Sequence, residues 1–318
     1  MDTIQALEDF GSRAFHLNTS AESASYIKGR FMALGLETSL QDFTFGDHSA
    51  ANVIAVIPGK GTSPRTLLIG AHYDSENMLA TNLSLTQDLA APGADDDASG
   101  VAAVIELATV LAGVYASDTL KFVAFGAEEL GYDQTGGLKG SSNFVNQEMA
   151  VGAVYECAII LDMIGYRDSN ENRMTVVNRN TSDAFAPLAV QAVDAYNLDL
   201  SIEVRTSGTI GYSDHASFWN ADYDAVLVTE ELEGATRPYP LNPYYHTSED
   251  TSGKLSEAQI VEVARCIAAV ALDMSGAEDS TAEGIGFGEV AALSAVIGVA
   301  IAVPIVFRIR KSRRKMIP

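Results

Sequence analysis

A layered α/β domain with a largely parallel sheet, followed by a C-terminal transmembrane helix, is the fold class this sequence predicts. Three observations carry that expectation. Short, uninterrupted apolar runs alternate with helical patterns along the first 274 residues, the signature of strands buried on both faces between covering helices. Hydrophobic residues make up 47% of the 318, enough for a substantial core and too many for a disordered chain. Residues 290–307 hold no charge and are followed at once by six basic side chains, the length and flank of a membrane stop-transfer segment.

The elements follow in order. Helical patterns occupy 3–15 and 21–34. Strand runs come next at 52–57 (NVIAVI) and 66–71 (TLLIGA), each short and apolar. A helix is predicted over 98–111, then a strand at 120–125 (LKFVAF), a helix at 141–148 and a strand at 158–161 (AIIL). The second half repeats the alternation with strands at 174–177, 202–205 and 225–228 and helices at 182–196 and 256–274. Residues 275–288 (SGAEDSTAEGIGFG) read as a flexible linker, 289–307 as the transmembrane helix and 308–318 as a basic cytoplasmic tail. Pro304 is compatible with a membrane helix.

The charge is segregated in the same way. The chain carries 42 acidic and 20 basic residues, a net charge of −22. Without the six basic residues of the tail, the remainder carries 14 basic residues and a net charge of −28. So acidic a domain repels phosphate backbones, which excludes a nucleic-acid partner. The basic end belongs in the cytoplasm by the positive-inside rule, so the expectation is a membrane-anchored protein with its main domain extracellular. The opening MDTIQALEDFGSRAF lacks a charged segment followed by an apolar one, so no signal peptide is visible. Either the chain is processed or truncated, or it inserts as a tail anchor with its bulk inside. Cys157 and Cys266 are too few for a disulfide scaffold and each lies in an apolar run, as small core residues do.

Polar residues gather where strands end, the place ligands bind in such sheets. His72 and Asp74 close the second strand run (LLIGAHYDS). Histidine offers a nitrogen that zinc favours, and an aspartate two residues on can orient it, although a lone strand-end histidine is more often structural. Asp95, Asp96 and Asp97 (APGADDDASG) repel one another unless a cation lies among them; helix capping is the competing account. Glu128 and Glu129 (FGAEELG) follow a very apolar strand and can divide metal binding from base chemistry. Asp162 (LDMIG) and His246 (YYHTSED) are weak signals singly. Together, two histidines and three carboxylates suffice for a pair of divalent ions if one carboxylate bridges them, and mixed nitrogen and oxygen ligation suits zinc, with manganese or cobalt also possible.

With AHYDS, APGADDDASG, FGAEELG, LDMIG, SDHASF and YYHTSED in this order, the sequence resembles the dizinc aminopeptidases of the zinc-exopeptidase clan, and in particular the secreted bacterial leucyl aminopeptidases. The resemblance implies a single three-layer α/β/α domain with a mixed, largely parallel sheet over about residues 2–275. It implies two zinc ions, with His72 and Asp162 on one, Glu129 and His246 on the other, and Asp96 bridging them. Glu128 is implied as general base, Asp74 as the residue that orients His72, and peptides with a free N-terminus as substrates. Asp214 and His215 match a motif lining the family's active site and receive no metal role. Two features depart from the pattern: the C-terminal apolar segment, and two cysteines 109 residues apart where secreted relatives often carry a short-range disulfide.

Other signals are set aside. Gly59-Lys60-Gly61-Thr62 lacks the upstream glycine of a phosphate loop, and no GxSxG elbow accompanies Ser213 or Ser217. Sequons at Asn18, Asn82 and Asn180 matter only if the domain meets a glycosylation machinery. Three rival readings remain: a glutaminyl cyclase of the same fold, a carboxypeptidase, and a non-catalytic tethered binding ectodomain. Retention of all five ligand positions, the absence of a basic cluster and the absence of ligand replacements weigh against them in turn. Sequence leaves the oligomeric state open.

Overall fold

The computed structural model describes residues 1–277, apart from 81–88, 115, 130–136, 181–183, 209, 231 and 234–238. Ten strands and seven α-helices are described: α1 (Asp2–Glu8), α2 (Asn18–Ala33), β1 (Glu37–Phe45), β2 (His48–Ile57), β3 (Arg65–His72), α3 (Gly100–Leu111), β4 (Thr119–Phe125), α4 (Lys139–Ala150), β5 (Val154–Leu161), β6 (Arg173–Asn178), α5 (Phe185–Tyr196), β7 (Ser201–Thr206), α6 (His215–Asn220), β8 (Ala225–Thr229), β9 (Leu232–Glu233), β10 (Tyr239–Pro240) and α7 (Glu257–Met274). Eight strands form one sheet in the order β1-β2-β4-β3-β5-β8-β6-β7. Its centre, β4-β3-β5-β8, is parallel throughout. The β1-β2, β2-β4 and β6-β8 pairs are antiparallel, and β6-β7 is parallel again. β9 and β10 make a separate two-stranded pair.

Period-two alternation splits the central strands between two cores. Leu67, Ile69 and Ala71 of β3 face the larger core with Phe122 of β4 and Ile159 of β5, under helices α1, α2, α3, α5 and α7. Leu68, Val123 and Ile160 face the other way, onto Phe144 of α4 and Phe218 and Trp219 of α6. Both faces of the central strands are thereby buried, which is why these runs read as uninterrupted apolar segments. Gly70 is required by this packing: a Cβ there would stand 2.7 Å from the ring of Phe125. The two cysteines are buried and unpaired with each other.

One local expectation is revised, and two elements carry no signal in the sequence. The first helical pattern ends at Glu8, not at residue 15, because Gly11 turns back at φ +71 and donates to the Glu8 carbonyl at 2.8 Å. That turn carries Arg13 into the interior, where it is fully buried. β1 lacks an apolar run because it is an edge strand whose residues are mostly exposed, so periodicity gave no sign of it. α6 is too short, at 6 residues, to show a helical period. The linker beyond Ala277 and the expected segments 289–307 and 308–318 lie outside the described residues; among the described residues no helix is long and apolar enough to cross a membrane.

Candidate metal centre

Parallel strands end side by side, and the site is built on those ends. β3 finishes with His72 itself, β4 is followed by Glu128 and Glu129, and β5 is followed by Asp162. Asp96 enters from residues 94–99, an irregular turn that runs straight into α3, and His246 from the segment between β10 and α7. The Asp96–Asp97 peptide is cis. All the predicted ligands thus arrive from different elements at one place, the carboxyl edge of the sheet.

Asp96 is the centre of the cluster. Its Oδ1 lies 3.1 Å from His72 Nε2 and its Oδ2 lies 3.0 Å from His246 Nε2. His72 Nε2 is also 3.8 Å from Asp162 Oδ1, and His246 Nε2 is 3.1 Å from Glu129 Oε2. Three sets of ligand atoms, each set within 4.8 Å, satisfy the spacing a cation needs: His72, Asp96 and Asp162; His72, Glu128 and Glu129; and Glu76, Glu129 and His246. Glu129 Oε1 is buried without a hydrogen-bond partner among the described residues. A buried carboxylate oxygen of this kind demands a cation, and the mixed nitrogen and oxygen donor set fits zinc.

The electrostatics express the same demand. Burial opposes a proton on His246, but the Glu129 and Asp96 carboxylates outweigh it and hold the ring's pKa up at about 12. His72 is likewise raised well above its usual value, burial being overcome by Glu128, Asp162, Asp74 and Asp96. Burial would raise Asp96, yet the two histidines hold it below the usual carboxylate range. Burial lifts Glu129 to about 8 and pushes Glu128 well above its ordinary value. Protons on the histidines and a bound cation answer the same concentration of negative charge, so metal uptake exchanges one for the other.

The three consecutive aspartates divide their work. Asp95 accepts from the backbone of Gly165 at 2.8 Å and of Tyr166 at 3.2 Å, and from Asn242 Nδ2 at 2.8 Å, tying down the segment after Asp162. Asp97 accepts from the amides of His72 at 3.2 Å, Gly100 at 2.9 Å and Met163 at 3.2 Å, so it caps α3 and fixes the backbone of one metal-facing residue. Gly100 is needed there, since a Cβ would stand 2.4 Å from Asp97 Oδ1. Asp250 in turn accepts from the amides of Asp95 at 2.9 Å and Asp96 at 3.1 Å. Of the alternatives weighed for this run, capping is met by Asp97 at the Gly100 amide, while Asp96 faces the two histidines.

Asp74 lies against His72 and also against the two glutamates. His72 Nδ1 lies 3.2 Å from the Asp74 backbone carbonyl and 3.7 Å from its carboxylate. That carboxylate accepts from the amides of Glu128 at 3.0 Å and Glu129 at 3.3 Å, holding the two glutamates in position. Asp214 and His215 are both fully buried beside the centre, and His215 Nε2 bonds the Ile210 carbonyl at 2.7 Å.

Sequence reasoning missed three participants. Glu76 reaches His246 Nδ1 at 3.2 Å; its place two residues beyond Asp74 was the available signal. Tyr245 stacks on His246 with ring centroids 3.7 Å apart, and burial together with Asp96, Glu129 and Glu128 keeps its phenol protonated. Arg13 donates to the carbonyls of Tyr73 at 2.7 Å and Gly93 at 2.8 Å, and to that of Pro92. Nothing around a single arginine near the N-terminus singled it out.

A sheet edge that brings acidic and imidazole side chains within 4.8 Å of one another has the make-up of a metal-dependent hydrolase. Residues 52–271 match the profile of Peptidase family M28, and the chain belongs to that family. It is 27% identical to a probable leucine aminopeptidase of Arthroderma otae over 285 residues, 86% of this chain and 72% of that one. Among solved structures, the LapA aminopeptidase of Legionella pneumophila superposes with a TM-score of 0.70 at 25% identity, covering 86% of this chain and 70% of its own. BSAP, a zinc aminopeptidase from Bacillus subtilis, superposes with a TM-score of 0.59 at 25% identity, covering 74% and 52%.

Proposed function

We propose that the protein is a two-zinc aminopeptidase that removes N-terminal residues from peptides. The observation that carries this reading is Asp96, whose two oxygens each face a different histidine at 3.1 and 3.0 Å. His72 and Asp162 would hold one ion and His246 and Glu129 the other, with Asp96 common to both sets. When bound, zinc supplies Lewis acidity towards water and the substrate carbonyl. Family membership and the zinc aminopeptidase among its structural relatives support the metal and the reaction.

The chain's own groups then do the following. Glu128, raised by burial, takes the proton of the attacking water and returns it to the leaving amine, which suits a carboxylate of elevated pKa. Asp74 holds the Glu128 and Glu129 amides in place. Tyr245, protonated and stacked on His246, is a donor for the oxyanion that develops on the carbonyl. The free ammonium of the substrate is drawn to a domain of net charge −28. The uncharged residues 290–307 and the basic run after them support tethering of this domain to a membrane, on its outer side.

Assay of amino-acid anilides with the purified protein, before and after chelation and zinc re-addition, tests the proposal. Cleavage lost to the chelator and restored by two zinc ions per chain is the expected result. Chelator-resistant cleavage overturns it.

A further inference from the structure

We propose that Glu76 is a positioning residue that orients His246 for its metal ion. The inference rests on the zinc reading above and adds a residue to it. His246 points Nε2 at Asp96 and Glu129, and on the opposite side of its ring Nδ1 meets Glu76 Oε1 at 3.2 Å. A carboxylate at that distance fixes the tautomer with the proton on Nδ1 and leaves the Nε2 lone pair for the metal, while strengthening its basicity. Both side chains are largely buried, at 12% exposure for Glu76 and 11% for His246, so water competes little for the bond.

The backbone reinforces the same contact. Met78 N donates to the His246 carbonyl at 2.9 Å, so residues 76 and 78 grip the histidine by ring and main chain together. One short stretch therefore serves both sides of the centre: His72 supplies a ligand, Asp74 fixes the two glutamates, and Glu76 fixes the second histidine. Glu76 also lies within 4.8 Å of Glu129 and His246 by ligand atoms, so direct ligation is the alternative that the test must separate.

Two variants of the full chain, Glu76→Ala and Glu76→Gln, make that separation. Zinc affinity at each site is read by competition with a fluorescent chelator, and the His246 ring N–H by NMR of the zinc-loaded protein. Loss of a carboxylate behind a ligating histidine weakens metal binding by about 10- to 100-fold. Glu76→Ala is expected to show that loss for one of two ions, with the other unchanged within about twofold, and to lose the downfield ring N–H signal. Glu76→Gln retains an amide oxygen that can accept from Nδ1–H but ligates zinc poorly, so its loss is expected to be smaller. Unchanged affinity in Glu76→Ala overturns the inference. So does equal weakening of both ions with a lowered Tm, which marks a merely structural role, and so does Glu76→Gln as weak as Glu76→Ala with its ring signal kept, which marks a direct ligand. A wild-type chain that binds fewer than two zinc ions overturns the zinc reading itself.

Discussion

Replacing Arg13 by methionine should cost more stability than any surface substitution in the molecule, although the residue touches no substrate. Its guanidinium is fully buried and bonds carbonyls of four residues: Tyr73 at 2.7 Å, Gly93 at 2.8 Å, Leu7 at 3.2 Å, and Pro92. These stitch α1 to the end of β3 and to the turn before Asp95. Burial lowers the arginine's pKa, but the charges of Asp250, Asp74, Asp96 and Asp97 oppose that shift. The side chain is thus the buried cation beneath an acidic cluster. Methionine fills a similar volume and removes every donor. Each buried acceptor left unmet costs about 1–3 kcal/mol, and relief of the arginine's own desolvation offsets part of the sum. The net expectation is about 3–5 kcal/mol. At about 2.1 cal/mol/K of unfolding entropy per residue, a domain of about 275 residues should then melt about 5–9 °C lower. Urea unfolding of both proteins, each loaded with zinc, measures the difference directly. A variant within about 0.5 kcal/mol of wild type refutes the reasoning, because it means the carbonyls find other donors at no cost.

Two further predictions concern chemistry and acid stability. Glu128→Ala should keep its zinc by elemental analysis while kcat falls by about 2 to 4 decades, the usual worth of a general base; near-normal turnover removes Glu128 from the mechanism. His215 is buried against Trp219, with ring centroids 4.5 Å apart, and burial lowers its pKa to about 4 against the Ile210 carbonyl's opposing pull. Because its folded pKa lies below the unfolded value near 6.5, the stabilisation is full above about pH 6.5 and is lost as pH falls towards 4. The loss comes to about 3 kcal/mol. His215→Gln should lack this component, so its stability gap from wild type should narrow as the pH falls from 7 to 4 in urea unfolding; a gap independent of pH contradicts the buried neutral imidazole.

How far the sequence foretold the molecule follows from where each residue's partners lie along the chain. Strands buried on both faces announce themselves, because burial forces every position to be apolar; β3, β4, β5 and β8 are of this kind. β1 was illegible for the opposite reason: an edge strand is exposed on one margin and shows no run to detect. His72, Glu128, Glu129 and Asp162 were legible because they sit at or directly after such strands, whereas Asp96 and His246 arrive on loops and had only their neighbours in the sequence to mark them. Long-range bonds were not. Asp250 holds the Asp95 and Asp96 amides across more than 150 residues of sequence, and Arg13 reaches Gly93 across 80. No local pattern encodes either partnership, since an aspartate in a polar loop and an arginine after a short helix are both ordinary. The consecutive aspartates show the intermediate case. Their mutual repulsion correctly pointed to positive charge nearby, but two of the three are satisfied by backbone N–H groups that only the folded chain brings to them. A cluster of this kind is therefore readable in the residues it gathers and hidden in their supports. Arg13 and Glu76 are accordingly the positions where substitution tests the structure rather than the sequence pattern.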